Sequence, residues 1–231
     1  MCGRYPTARL SWAEIHAQLS GFLLGWSQPV EPLDARYNIA PTQNAPIVIA
    51  QGPGVAQGVM ARWDFTPGFH KGALEEKKWS GFNAKLETIA ASKAYKTAVS
   101  RRRCLVPNCG FFEWRRDGKN KQPVWFSSPL GEVQFFAGVW DRWRGLHKGE
   151  AVEITSFAIL TCEPNPLVAP VHDRMPVLVL PEDRAAWLFG APEDALVRAG
   201  PYPAQLLEAR PVSPALGRVA NDGPELLEPV A

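Results

Sequence analysis

The chain has 231 residues, 46% of them hydrophobic, and a formal net charge of +2. That length suits one large domain or two small ones with a sizeable core, and the order of elements below makes a single domain over residues 1–231 the expectation. The charge announces no basic tail for nucleic acid and no acidic one, and no apolar run approaches the 18 residues a membrane helix needs. The positive charge is clustered at Lys77-Lys78, Arg101 to Arg103, Arg115-Arg116 and Lys119 to Lys121. Such clusters form a phosphate footprint only where the fold gathers them on one side. The four cysteines, Cys2, Cys104, Cys109 and Cys162, form no CxxC pair and stand at no metal-ligand spacing to histidine, so neither a metal nor another cofactor is expected. The polar N-terminus lacks the apolar stretch of a signal peptide, which makes a reducing, cytoplasmic setting the expectation.

In chain order, Ser11 to Glu14 is a capping box, and Ile15, Leu19, Phe22 and Leu23 follow at helical spacing; a helix is predicted over 12–24. RYNIAP at 36–41 reads as a short extended piece stopped by proline. The apolar runs 47–50 and 59–63 flank Gly52-Pro53-Gly54 and predict a hairpin. Residues 64–81 read as an exposed loop, and a second helix is predicted over about 87–98. Strands are predicted at 103–107, 110–115, 123–127, 133–139 and 153–161, with Asp117-Gly118 at one turn, and a further apolar run lies at 177–180. Pro181 and Pro192 each open a short helix near the C-terminus. The expected fold is α+β, with a β-rich, barrel-like antiparallel core flanked by helices.

The chemistry starts at Met1-Cys2-Gly3-Arg4. Once Met1 is removed, Cys2 carries an α-amine and a thiol on adjacent carbons. The amine can form an imine with an aldehyde, and the thiol can close onto the imine carbon as a five-membered ring. An α-amine has a pKa near 8 against about 10.4 for lysine, so its free-base fraction at neutral pH is larger by roughly two orders of magnitude. Four other stretches complement it. Asn83 to Thr88 offers an amide, a cation and a carboxylate. Glu113 sits among aromatics, where desolvation would raise its pKa, although pairing with Arg115 or Arg116 is an equal alternative. Thr161 stands at a strand end with turn chemistry beyond it, and His172, Asp173 and Arg174 lie between Pro170 and Pro176.

Six blocks, MCGRY at 1–5, RYNIAPTQ at 36–43, NAKLET at 83–88, RRCLVPNCGFFEW at 102–114, VHDRMPVLVL at 171–180 and NDGPELLEPV at 221–230, together resemble the SOS-response-associated peptidase family of abasic-site-processing proteins. The resemblance implies capture of abasic sites in single-stranded DNA. The terminal cysteine, Cys2, forms a Schiff base with the ring-opened sugar and then a thiazolidine, a link that shields the lesion and can be reversed. It implies that Asn83 positions the lesion, that Glu113 shuttles protons and that His172 helps open the sugar. Arg4, Lys85 and Arg174 are implied as phosphate contacts, and Thr161 as a hydrogen-bonding residue of the site. It also implies a self-directed peptidase step that removes Met1, which ordinary methionine aminopeptidase would equally supply. A monomer acting on DNA in the cytoplasm, or at the nucleoid of a bacterium, is expected. Two departures stand out: Lys85 where arginine is frequent, and Phe69-His70 where bacterial members often carry a tryptophan pair that stacks on a base. Competing readings are an N-terminal-nucleophile amidohydrolase, a Cys2–His172 cysteine protease, and a single-strand-binding module that does not use Cys2.

Overall fold

A computed structural model describes residues 2–118 and 120–230; Met1 and Lys119, and with them the expectations placed on those two positions, lie outside the described residues. The strands are β1 (Gly25–Ser27), β2 (Asn44–Gly52), β3 (Val55–Trp63), β4 (Asn83–Lys85), β5 (Arg103–Asn108), β6 (Phe111–Asp117), β7 (Asn120–Ser127), β8 (Gln134–His147), β9 (Glu150–Cys162), β10 (Met175–Pro176) and β11 (Glu208–Pro211). Four short helices accompany them: α1 (Trp12–Ala17), α2 (Lys96–Arg101), α3 (Arg184–Phe189) and α4 (Pro192–Arg198).

β3, β2, β5, β8 and β9 pair in that order, and β9 returns to pair with β3 through Arg62–Ser156 and Trp63–Phe157. The five strands therefore close into a barrel, and closure removes the open edges that an apolar sheet would expose. β5 is buried at every position, as a strand in the middle of the barrel must be. β4 and β10 add to β9 outside this circuit, while β11, β7 and β6 form a separate three-stranded sheet. The α+β class and the barrel core follow the sequence-based expectation.

The hairpin forms as expected, turning through Gly54 at φ +69°. The middle strands also form, but β8 and β9 run past their expected ends to His147 and Glu150 and turn through Lys148 and Gly149, both at positive φ. Two helices are shorter than expected. The capping box does start α1, since Ser11 Oγ accepts from Glu14 N and the Glu14 carboxylate accepts from Ser11 N, but regular helix stops at Ala17. Ile15 and Leu19 are both buried, so the apolar spacing persists through a turn that is no longer α-helical. The helix expected over 87–98 is a single 3-10 turn, Leu86–Thr88, followed by a break and α2 from Lys96.

The N-terminal segment is stitched in from two sides. Tyr5 and Ile39 exchange backbone hydrogen bonds, Phe112 N donates to Arg4 O at 3.1 Å, and Cys109 N donates to Pro6 O at 2.9 Å. β6 starts with an apolar residue on each face because both faces are covered there. Phe111 packs into the main core, whereas Phe112 joins Val212, Leu216 and Leu226 of the C-terminal segment. Gly110 allows the turn into β6: it sits at φ +119°, and a Cβ there would stand 2.2 Å from Phe126 O.

Candidate functional site

Cys2 is fully buried. Its carbonyl oxygen accepts from Asn83 Nδ2 at 2.7 Å, which fixes the amide orientation and leaves Asn83 Oδ1 buried without a partner among the described residues. Asn83 opens β4, in register with Ile159 on β9, so its backbone is held by the barrel wall. Glu113 lies on β6, shares the inward face with Phe111 and is 3% exposed. Burial pushes its carboxyl up to about 7. Burial also pushes the Cys2 thiol far up, and the neighbouring Glu113 carboxylate adds to that rise.

His172 Nε2 stands 3.7 Å from Glu113 Oε2. His172 Nδ1 stands 2.9 Å from the backbone N of Arg174 and 3.2 Å from its carbonyl oxygen, so these contacts accommodate either tautomer, and Nε2 is the ring nitrogen on the Glu113 side. Asp173 Oδ1, 3.0 Å from the same Nδ1, favours the charged ring. Burial is the larger effect and pulls the His172 pKa below its usual value; the Asp173 side chain is 89% exposed and screened by solvent.

Arg174 is forked onto Glu87, with both guanidinium Nη atoms 2.8 Å from carboxylate oxygens, and it donates to Thr161 O at 2.6 Å. Thr161 is buried, with Oγ1 3.4 Å from Arg174 Nη2, and Lys85 is exposed beside it in register on β4. Glu87 emerges as the partner of Arg174 in this group; the sequence signalled it only as the carboxylate of the NAKLET block.

Arg4 is half-buried, with its guanidinium directed at the C-terminal segment. Its Nη1 donates to Asn38 Oδ1 at 3.0 Å and to Leu216 O at 2.8 Å, and its guanidinium lies over the Trp114 ring. Asn38, which sequence reasoning did not single out, is the hub: its buried amide donates to the carbonyls of Leu216, Arg218 and Asn221. Asp222 accepts from the backbone N–H groups of Tyr37 and Asn38. The second and last sequence blocks thus meet, and Arg4 of the first block reaches Asn38 and the same C-terminal segment at Leu216.

Phe69 is 63% exposed on a loop that Gly68 N ties to Asp141 Oδ2. Asp141 pairs with Ser156, five residues along β9 from Thr161, about 17 Å at the rise of a strand. The structure therefore groups Cys2, Asn83, Glu113, His172, Thr161 and Arg174 and sets Phe69 apart. The arginine run 101–103 is not a basic face either: Arg103 is buried against the carbonyls of Val99, Trp187 and Gly190, and Arg102 pairs with Asp141. Among the described residues no helix is long and apolar enough to cross a membrane.

Comparison with known proteins bears on the whole chain. It is 31% identical over 232 residues to the abasic site processing protein YoaM of Bacillus subtilis, covering 99% of this chain and 98% of that protein. It is 28% identical over 235 residues to the abasic site processing protein YedK of Escherichia coli, with both chains covered in full. A solved structure of a protein from Bacteroides thetaiotaomicron shares the fold, with a TM-score of 0.81 at 22% identity over both chains. The model of the SOS response associated peptidase family matches residues 1–219, and the chain belongs to that family.

Proposed function

We propose that this protein processes abasic sites, capturing them in single-stranded DNA through a thiazolidine link to Cys2. Cleavage of the Met1–Cys2 bond, by the chain itself or by an aminopeptidase, must come first, because the Cys2 nitrogen is otherwise an amide. The observation that carries the reading is the convergence of the Asn83 amide, the Glu113 carboxyl and the His172 ring on a buried residue 2. The names of the relatives agree with it.

The free amine attacks the C1′ aldehyde of the open sugar while protonated Glu113 gives its proton to the aldehyde oxygen. Glu113 then takes a proton from the nitrogen, which leaves a neutral carbinolamine, and returns it to the hydroxyl, which departs as water and leaves an iminium. The thiol adds across the C=N bond: sulfur bonds to C1′, nitrogen keeps its remaining proton as the thiazolidine N–H, and the thiol proton goes to Glu113 or His172. Reversal retraces these steps. A carboxyl held near 7 serves both directions at neutral pH, since both of its forms are populated. Asn83 Oδ1, buried and unsatisfied, is an acceptor for a sugar hydroxyl.

The test is incubation of Met1-free protein with an oligonucleotide bearing one abasic site, run on a denaturing gel beside Cys2→Ala. A heat-stable shifted band in the wild type alone is expected. No band from protein with a verified Cys2 terminus would sink the reading. Equal bands in both would move the chemistry to another residue.

A further inference from the structure

Arg174, expected to meet a phosphate, already holds an anion. Its Nη1 and Nη2 donate to Glu87 Oε1 and Oε2, both at 2.8 Å, the same two-pronged geometry that a guanidinium makes with phosphate. Nη2 gives its second N–H to Thr161 O at 2.6 Å, with Thr161 Oγ1 at 3.4 Å, and Nε is buried with no partner among the described residues. Only the second N–H of Nη1 is left over, so no adjacent pair of donors is open to fork onto a second anion.

Of the two partners, Glu87 is the one free to leave. Its side chain is 44% exposed against 15% for Arg174. It stands in the single 3-10 turn Leu86–Thr88, none of whose residues is buried. Arg174 is held by the Thr161 carbonyl on β9, next to the β9–β10 pairing at Pro176, and stays on the barrel wall when the carboxylate swings into water.

The carboxylate also sits in the field of Lys85, the neighbouring cation of the same group. The Arg174 hydrogen bonds, and to a smaller degree the Lys85 charge, hold the Glu87 carboxyl below its usual range, so it is ionised at neutral pH. A backbone phosphate that approaches Arg174 therefore meets a like charge in the place it would occupy.

We infer that Glu87 is an internal stand-in for a backbone phosphate: it keeps Arg174 in register before a strand arrives, and the strand must displace it to gain the arginine. The inference rests on the proposed action on single-stranded DNA and names a residue outside the capture chemistry. Exchanging one anion for another on Arg174 adds little net neutralisation. The part of binding that is blind to sequence and to lesions stays small at this contact.

The experiment uses a labelled single-stranded oligonucleotide with a tetrahydrofuran residue at the lesion position. This analogue has no aldehyde, so anisotropy reads binding alone. Glu87→Gln is expected to bind it about 3- to 30-fold more tightly than the wild type at low salt. The slope of log affinity against log salt should steepen by about 0.7, the value for one more phosphate neutralised on a single strand. Asp194→Asn removes an exposed acid from α4 and controls for net charge alone; it should shift binding less than twofold. Binding by Glu87→Gln that is weaker than wild type would overturn the assignment and make Glu87 a fixed brace for Arg174. Binding within twofold of wild type, or an equal gain in Asp194→Asn, would overturn it as well. In parallel, adduct formation between the wild type and 2-deoxyribose 5-phosphate, followed by mass spectrometry, reads the capture chemistry. No adduct beside the expected gain in Glu87→Gln would uphold the stand-in and sink the capture. No binding of the oligonucleotide by either protein would sink both.

Discussion

Replacing Glu113 by Gln should stabilise the protein while disabling it. Glu113 keeps its proton in the folded state until about pH 7, whereas in the unfolded chain it ionises at the ordinary value near 4.5. A folded-state pKa raised in this way contributes stability that is complete below about 4.5 and is lost as pH climbs through 7. At about 1.4 kcal/mol for each pH unit between the two values, the loss is ~3 kcal/mol. For a chain of this length that corresponds to a fall in Tm of roughly 6–12 °C between pH 4.5 and 7.5. Glutamine has nearly the same shape and does not titrate, so this part of the pH profile should flatten. At pH 8 the variant should melt above the wild type. Its capture rate should drop by about 10²–10⁴-fold, the range for losing a general acid–base group. Thermal melts of both proteins from pH 5 to 8.5, paired with rates of crosslinking to an abasic oligonucleotide, check both halves. Parallel melting profiles would show that Glu113 does not titrate in this window. A Gln variant that captures at the wild-type rate would remove Glu113 from the mechanism.

Asn83→Ala removes the donor to the Cys2 carbonyl; capture should slow by about 10- to 100-fold through misplacement of the nucleophile, with a fall in Tm of only about 2–4 °C from the one lost hydrogen bond. Single-turnover crosslinking checks it, and a rate within twofold of wild type would show that the barrel wall alone positions residue 2. Asn38→Ala should act on stability, because the carbonyls of Arg218 and Asn221 lose their Asn38 donor while Leu216 O keeps Arg4. The expected loss is about 2 kcal/mol, a drop in Tm of roughly 4–8 °C by calorimetry. A drop below about 2 °C would mean that Arg4, Asp222 and the packing of Leu216 and Leu226 hold that segment without the Asn38 amide.

The sequence was readable where local pattern and burial agree. Gly-Pro-Gly between two apolar runs produces the hairpin, and the Ser11–Glu14 pair starts α1 where it should. Pattern failed where burial continued without regular structure. Leu19 is fully buried, but two turns of its predicted helix are replaced by irregular chain, because an apolar spacing records which side chains face the core and not the path of the backbone between them. The extension of β8 and β9 to the Lys148-Gly149 turn was hidden because their outer ends are largely exposed and carry charges, so apolar alternation fades there. Of the site, Glu113 was legible as a carboxylate among aromatics, and its burial has that physical cause. Arg4 was not legible as a clamp on the C-terminal segment. Its partners, Asn38 and Leu216, lie 34 and 212 residues away, and only the closed fold brings them together.

A residue that offers both an amine and a thiol needs an order of attack, and the electrostatics around Cys2 favour the amine. Burial and the Glu113 carboxylate both push the thiol up, which keeps it protonated, and a protonated thiol is a weak nucleophile. A freed α-amine, with an ordinary pKa near 8, keeps a usable neutral fraction at pH 7. A cysteine protease would need the opposite arrangement, a thiolate paired with a charged imidazole. Here burial raises the thiol and lowers His172, so both partners of that ion pair are disfavoured. On the proposed route the iminium changes this balance. Its positive charge forms on the Cys2 nitrogen, two carbons from the sulfur, and stabilises the thiolate at the moment ring closure requires it. On that proposed route the burial that silences the thiol in the resting protein would set the sequence of steps: the amine reacts first, and the charge it creates recruits the sulfur.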